Sequence, residues 1–389
     1  MTKSERPPWG VTVKMANNLN LKDLYTKFRD PKTIKSYENL ISNEAKKLNK
    51  DINIMEVCGG HTHTIMKYGL KQLLPKNINF IHGPGCPVCV MPKERIDMAI
   101  TLAKQANVIL VTLGDMIKVP GSCGSLQDAR ASGADIRFVY SPTDCIKIAL
   151  ENINKTIIFF AIGFETTTPM TSALINQVIN KDIKNILFHI NHITVPEPMR
   201  VLLDDKENKI DAFIGPAHVS VISGSKIYDE FPLNYKKAVV VSGFEPVDVM
   251  QSVYMILKQF NDARCKVEVQ YTRSVTQNGN KTAQDLNNKF FEKRENFRWR
   301  GIGDIENSSL KLKDIYTYLD AEIIYKNILS LKEIDDHKLC ICGDILKGKA
   351  NPKDCKVFGK LCTPSNPLGS CMVSSEGACS AYYKYGQIL

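Results

Sequence analysis

Six of the twelve cysteines stand in the last fifty residues, at Cys340, Cys342, Cys355, Cys362, Cys371 and Cys379. Glycines, prolines and polar residues fill the intervals, with no long apolar run. A stretch of that composition buries little core, so something other than the hydrophobic effect is expected to order it. Four thiolates converging on a metal or an iron–sulfur cluster would supply the folding free energy that packing cannot.

Upstream of this tail the chain alternates between two patterns. Short apolar runs at 54–57 (IMEV), 78–83 (INFIHG) and 108–114 (VILVTLG) are separated by amphipathic segments near 62–74 and 94–105. A second series follows at 156–163, 186–190, 211–215 and 238–243, with helical spacing near 170–180 and 247–260. Alternating strands and helices predict parallel sheets with covered faces. The expected fold class is therefore α/β. An arm and a helix occupy 1–49, one α/β domain 50–140, a second 141–270, and a cysteine-rich C-terminal domain 271–389. Gly-Phe-Glu follows an apolar strand twice, at 163–165 and 243–245, where functional loops of open sheets lie. The plain alternative is that Gly ends each strand and Glu opens the next helix. Neither GxGxxG nor GxxxxGK[ST] occurs, so no nucleotide signature is present.

Composition narrows the class further. Hydrophobic content of 43% and charged content of 24% over 389 residues are those of a globular protein. No apolar run reaches the roughly 18 residues that span a bilayer, and the polar, proline-broken start is not a signal peptide. These features predict a cytoplasmic protein without a membrane partner, a setting in which clustered cysteines serve metals or redox chemistry rather than structural disulfides. The net charge of +10 comes from dispersed lysines with no arginine-rich tract, which argues for a solvated surface and against nucleic-acid binding.

Two thiol motifs precede the tail. Cys58 stands between a strand and a helix in Glu56-Val57-Cys58-Gly59-Gly60-His61. There the helix dipole should favour thiolate, the glycines should leave room beside the sulfur, and His61 could face the same way. Such a pair suits nucleophilic chemistry or a soft metal. Cys86-Pro87-Val88-Cys89 has dithiol/disulfide spacing after another strand. Half of a zinc site is the competing reading, but a second CxxC is missing. In the tail, fifteen choices of four ligands from six cysteines remain open on spacing alone. Cys123, Cys145 and Cys265 are isolated and read as small core residues.

The segments CGGHTHTIMKYGL (58–70), GPGCPVCV (83–90), GFETTTP (163–169) and NPLGSCMVSSEGAC (366–379) resemble the HypD family of NiFe-hydrogenase maturation factors over nearly the whole chain. The resemblance implies a scaffold that works with a small chaperone, HypC, and on which the Fe(CN)2CO group of the hydrogenase site is assembled, with HypE as cyanide donor. It implies that Cys58 holds the iron with His61 beside it, and that Cys86 and Cys89 form a redox dithiol. The family spacing C-x14-C-x6-C-x16-C puts a 4Fe-4S cluster on Cys340, Cys355, Cys362 and Cys379. Cys342 and Cys371 are left as a second dithiol, similar to ferredoxin–thioredoxin reductase. Glu376 stands at a motif position of functional character. Two rival classes remain at this stage: a free-standing thiol–disulfide oxidoreductase, and a non-catalytic iron carrier with a purely structural cluster.

Overall fold

The computed structural model describes residues 26–330 and 332–386. The arm read over residues 1–20 lies outside them. Eleven strands are described: β1 (Ile52–Glu56), β2 (Ile78–His82), β3 (Val108–Leu113), β4 (Ile136–Val139), β5 (Thr156–Gly163), β6 (Ile186–His192), β7 (Ala212–Pro216), β8 (Ala238–Ser242), β9 (Val267–Val269), β10 (Phe291–Trp299) and β11 (Gly303–Leu312). The fold is α/β. One parallel sheet has the order β2-β1-β7-β8-β9 and a second has β4-β3-β5-β6, while β10 and β11 form a separate antiparallel hairpin. Parallel neighbours need crossover connections, and helices between successive strands supply them.

The two sheets do not follow the 50–140 and 141–270 division. The first takes two strands from before residue 83 and three from after 211, and the second is built wholly from the stretch between. Local periodicity marks a strand but carries no record of its partner. The strand interiors alternate strictly. In β5, Ile158, Phe160 and Ile162 face one core, whereas Ile157, Phe159 and Ala161 face another. In β8, Val239 and Val241 turn to the same central core as Phe160, while Ala238 and Val240 pack outward with Ile41 and Val253. Each sheet therefore gives one face to a shared centre and one to its own helices, which makes the two a single packed body.

The tail joins that centre. Ile345, Leu346, Val357 and Met372 are buried in it beside Trp299 and Phe213. The sequence reading of a segment without core is corrected here: its apolar residues are scattered in the chain, but they converge against side chains the sheets provide. Among the described residues, no helix is long and apolar enough to cross a membrane.

Candidate functional site

The site grows from the C-terminal ends of β1 and β2, which lie side by side with Glu56 opposite His82. Beyond these ends two loops interlock. Gly83 N–H donates to the Glu56 carbonyl (2.9 Å) and Gly59 N–H to the Gly85 carbonyl (3.2 Å). A Cβ on Gly85 would stand 2.2 Å from the Cys58 nitrogen, so only glycine lets the two loops come this close. Cys58 caps the Gly59–Lys67 helix and Cys86 caps the short Pro87–Val90 helix.

Glu56 is fully buried and organises the loop from below. It accepts from the Cys58 N–H (3.1 Å) and from the Thr62 hydroxyl, and pairs with His82 Nδ1 (2.8 Å). His82 Nε2 reaches the Tyr382 hydroxyl at 3.3 Å, tying the last helix, Ala378–Tyr385, to the same network. His61 is buried as well, with Nε2 directed at the Ser242 and Gly243 carbonyls at the end of β8 (3.2 and 3.0 Å). Burial lowers its pKa to about 4, so the ring is neutral and Nε2 carries the proton it donates. The ring stacks on Phe244 (4.5 Å between centroids), and His218 packs on the same phenyl ring (4.1 Å). A cleft of about 370 Å³ opens here, lined by His63, His218, Phe244 and Glu376 among others.

Two expectations at Cys58 are corrected. The helix start does not depress this thiol. Burial pushes it well above its usual range, and Glu376, Glu56 and Cys86 add to the effect, while only the Gly60 N–H opposes it. Nor do the glycines leave open space. A Cβ on Gly59 would lie 2.4 Å from Glu376, and one on Gly60 would lie 2.7 Å from the Phe244 ring. Both glycines are there so that protein can pack against the thiol loop.

The tail is drawn to this edge when Ser370 Oγ donates to the Cys89 carbonyl. The thiols then form a row. The Cys89 thiol interacts electrostatically with those of Cys86 and Cys371, and the Cys371 thiol with those of Cys89 and Cys342. Cys342 in turn meets Cys340 and Cys379. S–H donation from Cys342 and Cys89 holds the buried Cys371 below the usual thiol range, and the same contacts push Cys89 up. Cys362 is buried and accepts from the Leu368 N–H (3.4 Å); the half-buried Cys355 points its thiol at the Leu339 carbonyl (3.8 Å). Every cysteine is free, and among the described residues no three His, Cys, Asp or Glu side chains gather as a single metal ion would need. Of the isolated cysteines, Cys145 is buried and Cys265 half-buried, but Cys123 is exposed rather than in the core.

The two Gly-Phe-Glu loops diverge. Glu245 caps the Pro246–Asn261 helix and takes both Arg29 nitrogens (2.5 and 2.7 Å), as the plain alternative has it. Glu165 instead accepts from the Val195 N–H (3.0 Å) and keeps a second oxygen buried without a partner. His82, His218, Phe244 and Tyr382 were not singled out from sequence. For His82 and His218 the available signal was a histidine just at or after a strand end, each beside a Gly-Pro pair.

The α/β frame thus brings the Cys86–Cys89 loop and the cysteine-rich tail together at the ends of β1 and β2. The sequence pattern of the family described as "HypD: Hydrogenase formation hypA family" matches residues 32–386. The "Hydrogenase maturation factor HypD" of Azotobacter vinelandii is 47% identical over 366 residues, covering 92% of this chain and 96% of that protein. The protein of the same description from Escherichia coli strain K12 is 45% identical over 338 residues, covering 87% and 90%. The chain belongs to the HypD family.

Proposed function

We propose that this chain is a hydrogenase maturation factor that carries an Fe(CN)2CO group as its cargo while that group is assembled, with HypC holding the iron jointly and HypE supplying cyanide. The observation that carries the reading is the placement of Cys58 at the end of β1, its loop interlocked with that of Cys86 and Cys89. Iron with strong-field ligands takes soft thiolate donors, and Cys58 is a half-buried thiol whose neighbours Gly60 and Glu376 line the cleft. Burial among carboxylates keeps Cys58 protonated, and the positive charge of a bound iron would stabilise the thiolate left when that proton goes to solvent. His61 acts as a positioning residue, since its Nε2 is committed to backbone carbonyls.

Cys340, Cys355, Cys362 and Cys379 would hold a 4Fe-4S cluster. Two features support the fit: a backbone N–H aimed at the Cys362 sulfur, and Gly369, where a Cβ would lie 2.6 Å from the sulfurs of both Cys340 and Cys342. Such a group stores and passes single electrons. Cys86 with Cys89, and Cys342 with Cys371, are the two dithiols. In this scheme Cys371, the sulfur held toward thiolate, attacks a Cys86–Cys89 disulfide at the Cys89 sulfur with which it interacts. Cys86 leaves as thiolate, and Cys342 then displaces Cys89 from Cys371. The result is a Cys342–Cys371 disulfide and a reduced Cys86–Cys89 pair.

Infrared spectroscopy of the protein purified anaerobically with HypC tests the proposal. Wild type should show two cyanide bands and one CO band. Cys58→Ala should lose all three while keeping its fold and its iron–sulfur content. Bands of wild-type intensity in Cys58→Ala would overturn the reading and favour a free-standing thiol–disulfide oxidoreductase.

A further inference from the structure

The row of thiols reaches the surface at a face with a definite character. The turn of residues 355–362 is closed by Phe358 N–H to the Cys355 carbonyl (3.1 Å) and Cys362 N–H to the Val357 carbonyl (2.9 Å). Leu339 lies against it through the Cys355 thiol, and Tyr383 through the Phe358 ring (6.3 Å). Leu339, Leu361 and Tyr383 are 48%, 60% and 41% exposed, an apolar centre left uncovered among the described residues. Lys338, Lys356 and Lys360 flank it, all exposed and without an ion-pair partner among the described residues. Lys349, by contrast, is held between Asp205 and Glu207 (2.8 and 2.7 Å). From residue 338 onward the chain carries seven lysines against three acidic residues.

We infer that this face docks a small acidic one-electron carrier protein, and that electrons for the dithiols enter here. The inference rests on the thiol-row reading above. Unpaired lysines around an apolar centre give electrostatic steering and a short-lived, salt-sensitive complex, which a carrier that must arrive and leave requires. The partly exposed Cys340 and Cys355 adjoin it, Cys340 next to Leu339 in the chain and Cys355 with its thiol 3.8 Å from the Leu339 carbonyl. Two encounters with reduced carrier deliver two electrons. With two protons from solvent they open one disulfide to two thiols, and two carriers leave oxidised.

The test is titration of the anaerobically purified chain, with its iron–sulfur content intact, against an acidic plant-type [2Fe-2S] ferredoxin, followed by calorimetry at low and at physiological salt. Wild type should bind, and more weakly as salt rises. The Lys356→Glu, Lys360→Glu double variant should lose at least tenfold in affinity with unchanged iron and sulfide, while Lys181→Glu, at the end of the Thr168–Asn180 helix, should match wild type. No binding by wild type, an equal affinity in the double variant, or an equal loss in Lys181→Glu would overturn the docking face. Failure of the ligand reading shows separately, as Cys355→Ala retaining full iron and sulfide.

Discussion

Replacing Gly85 by Ala adds one methyl group at the closest approach in the site. The new Cβ would stand 2.2 Å from the Cys58 nitrogen, 2.2 Å from the Val57 carbonyl carbon and 2.3 Å from the Cys58 Cα. All three are backbone atoms, so no side chain can swing aside. Gly85 has no left-handed backbone, and the effect is therefore steric rather than conformational. Relief requires the two loops to part by about an ångström, which breaks the Gly59 N–H to Gly85 carbonyl bond of 3.2 Å. Overpacking of this kind costs about 1–3 kcal/mol. The lost hydrogen bond adds about 0.5–1.5 kcal/mol. The combined loss is about 2–4 kcal/mol. Anaerobic urea unfolding should show a lower midpoint at unchanged slope. Gly114→Ala is the control, because a Cβ there meets nothing within 4 Å. The infrared bands assigned to Cys58 should also weaken in Gly85→Ala, since the thiol moves with its loop. Equal stability of the two variants would refute the claim that contact between the Cys58 and Cys86 loops is built on a missing side chain.

Two further outcomes follow from electrostatics. Glu376→Gln removes the carboxylate that, after burial, does most to raise the Cys58 thiol, so the pH profile of Cys58 alkylation should move to lower pH; an unmoved profile would show that Glu376 does not act on this sulfur. Burial raises Glu165 from the ordinary 4.5 to about 8, so the folded state keeps a proton that the unfolded chain releases. Stability should therefore fall as pH rises across that window, and Glu165→Gln should flatten the slope in urea titrations at stepped pH.

Much of the scaffold was legible because parallel strands are continuous apolar runs. The sequence TIIFFAIG can hardly be anything but a buried strand, and it forms β5 over Thr156–Gly163. What escaped was information that no local pattern holds. Nothing in residues 186–216 announces that β6 closes one sheet and β7 opens onto another. At Cys58 the expected thiolate and open space were not found, because dipole and glycine arguments use near neighbours, whereas Glu376 and Phe244 come from far along the chain. The pairing of Cys342 with Cys371 rests on family likeness; spacing left every pairing open.

The interleaved strands also set a timetable. A ribosome delivers β1 and β2, with Cys58, Cys86 and Cys89, long before β7 and β8 exist to flank them. Cys371 follows Cys58 by more than 300 residues. The front thiols meet the Phe244 ring only after β8 is made, and Cys371 and Glu376 only more than a hundred residues later. The first sheet is a high-order closure, slow to form and impossible to complete early. The site is therefore a feature of the finished molecule alone, and a truncated or half-made chain has thiols but no row.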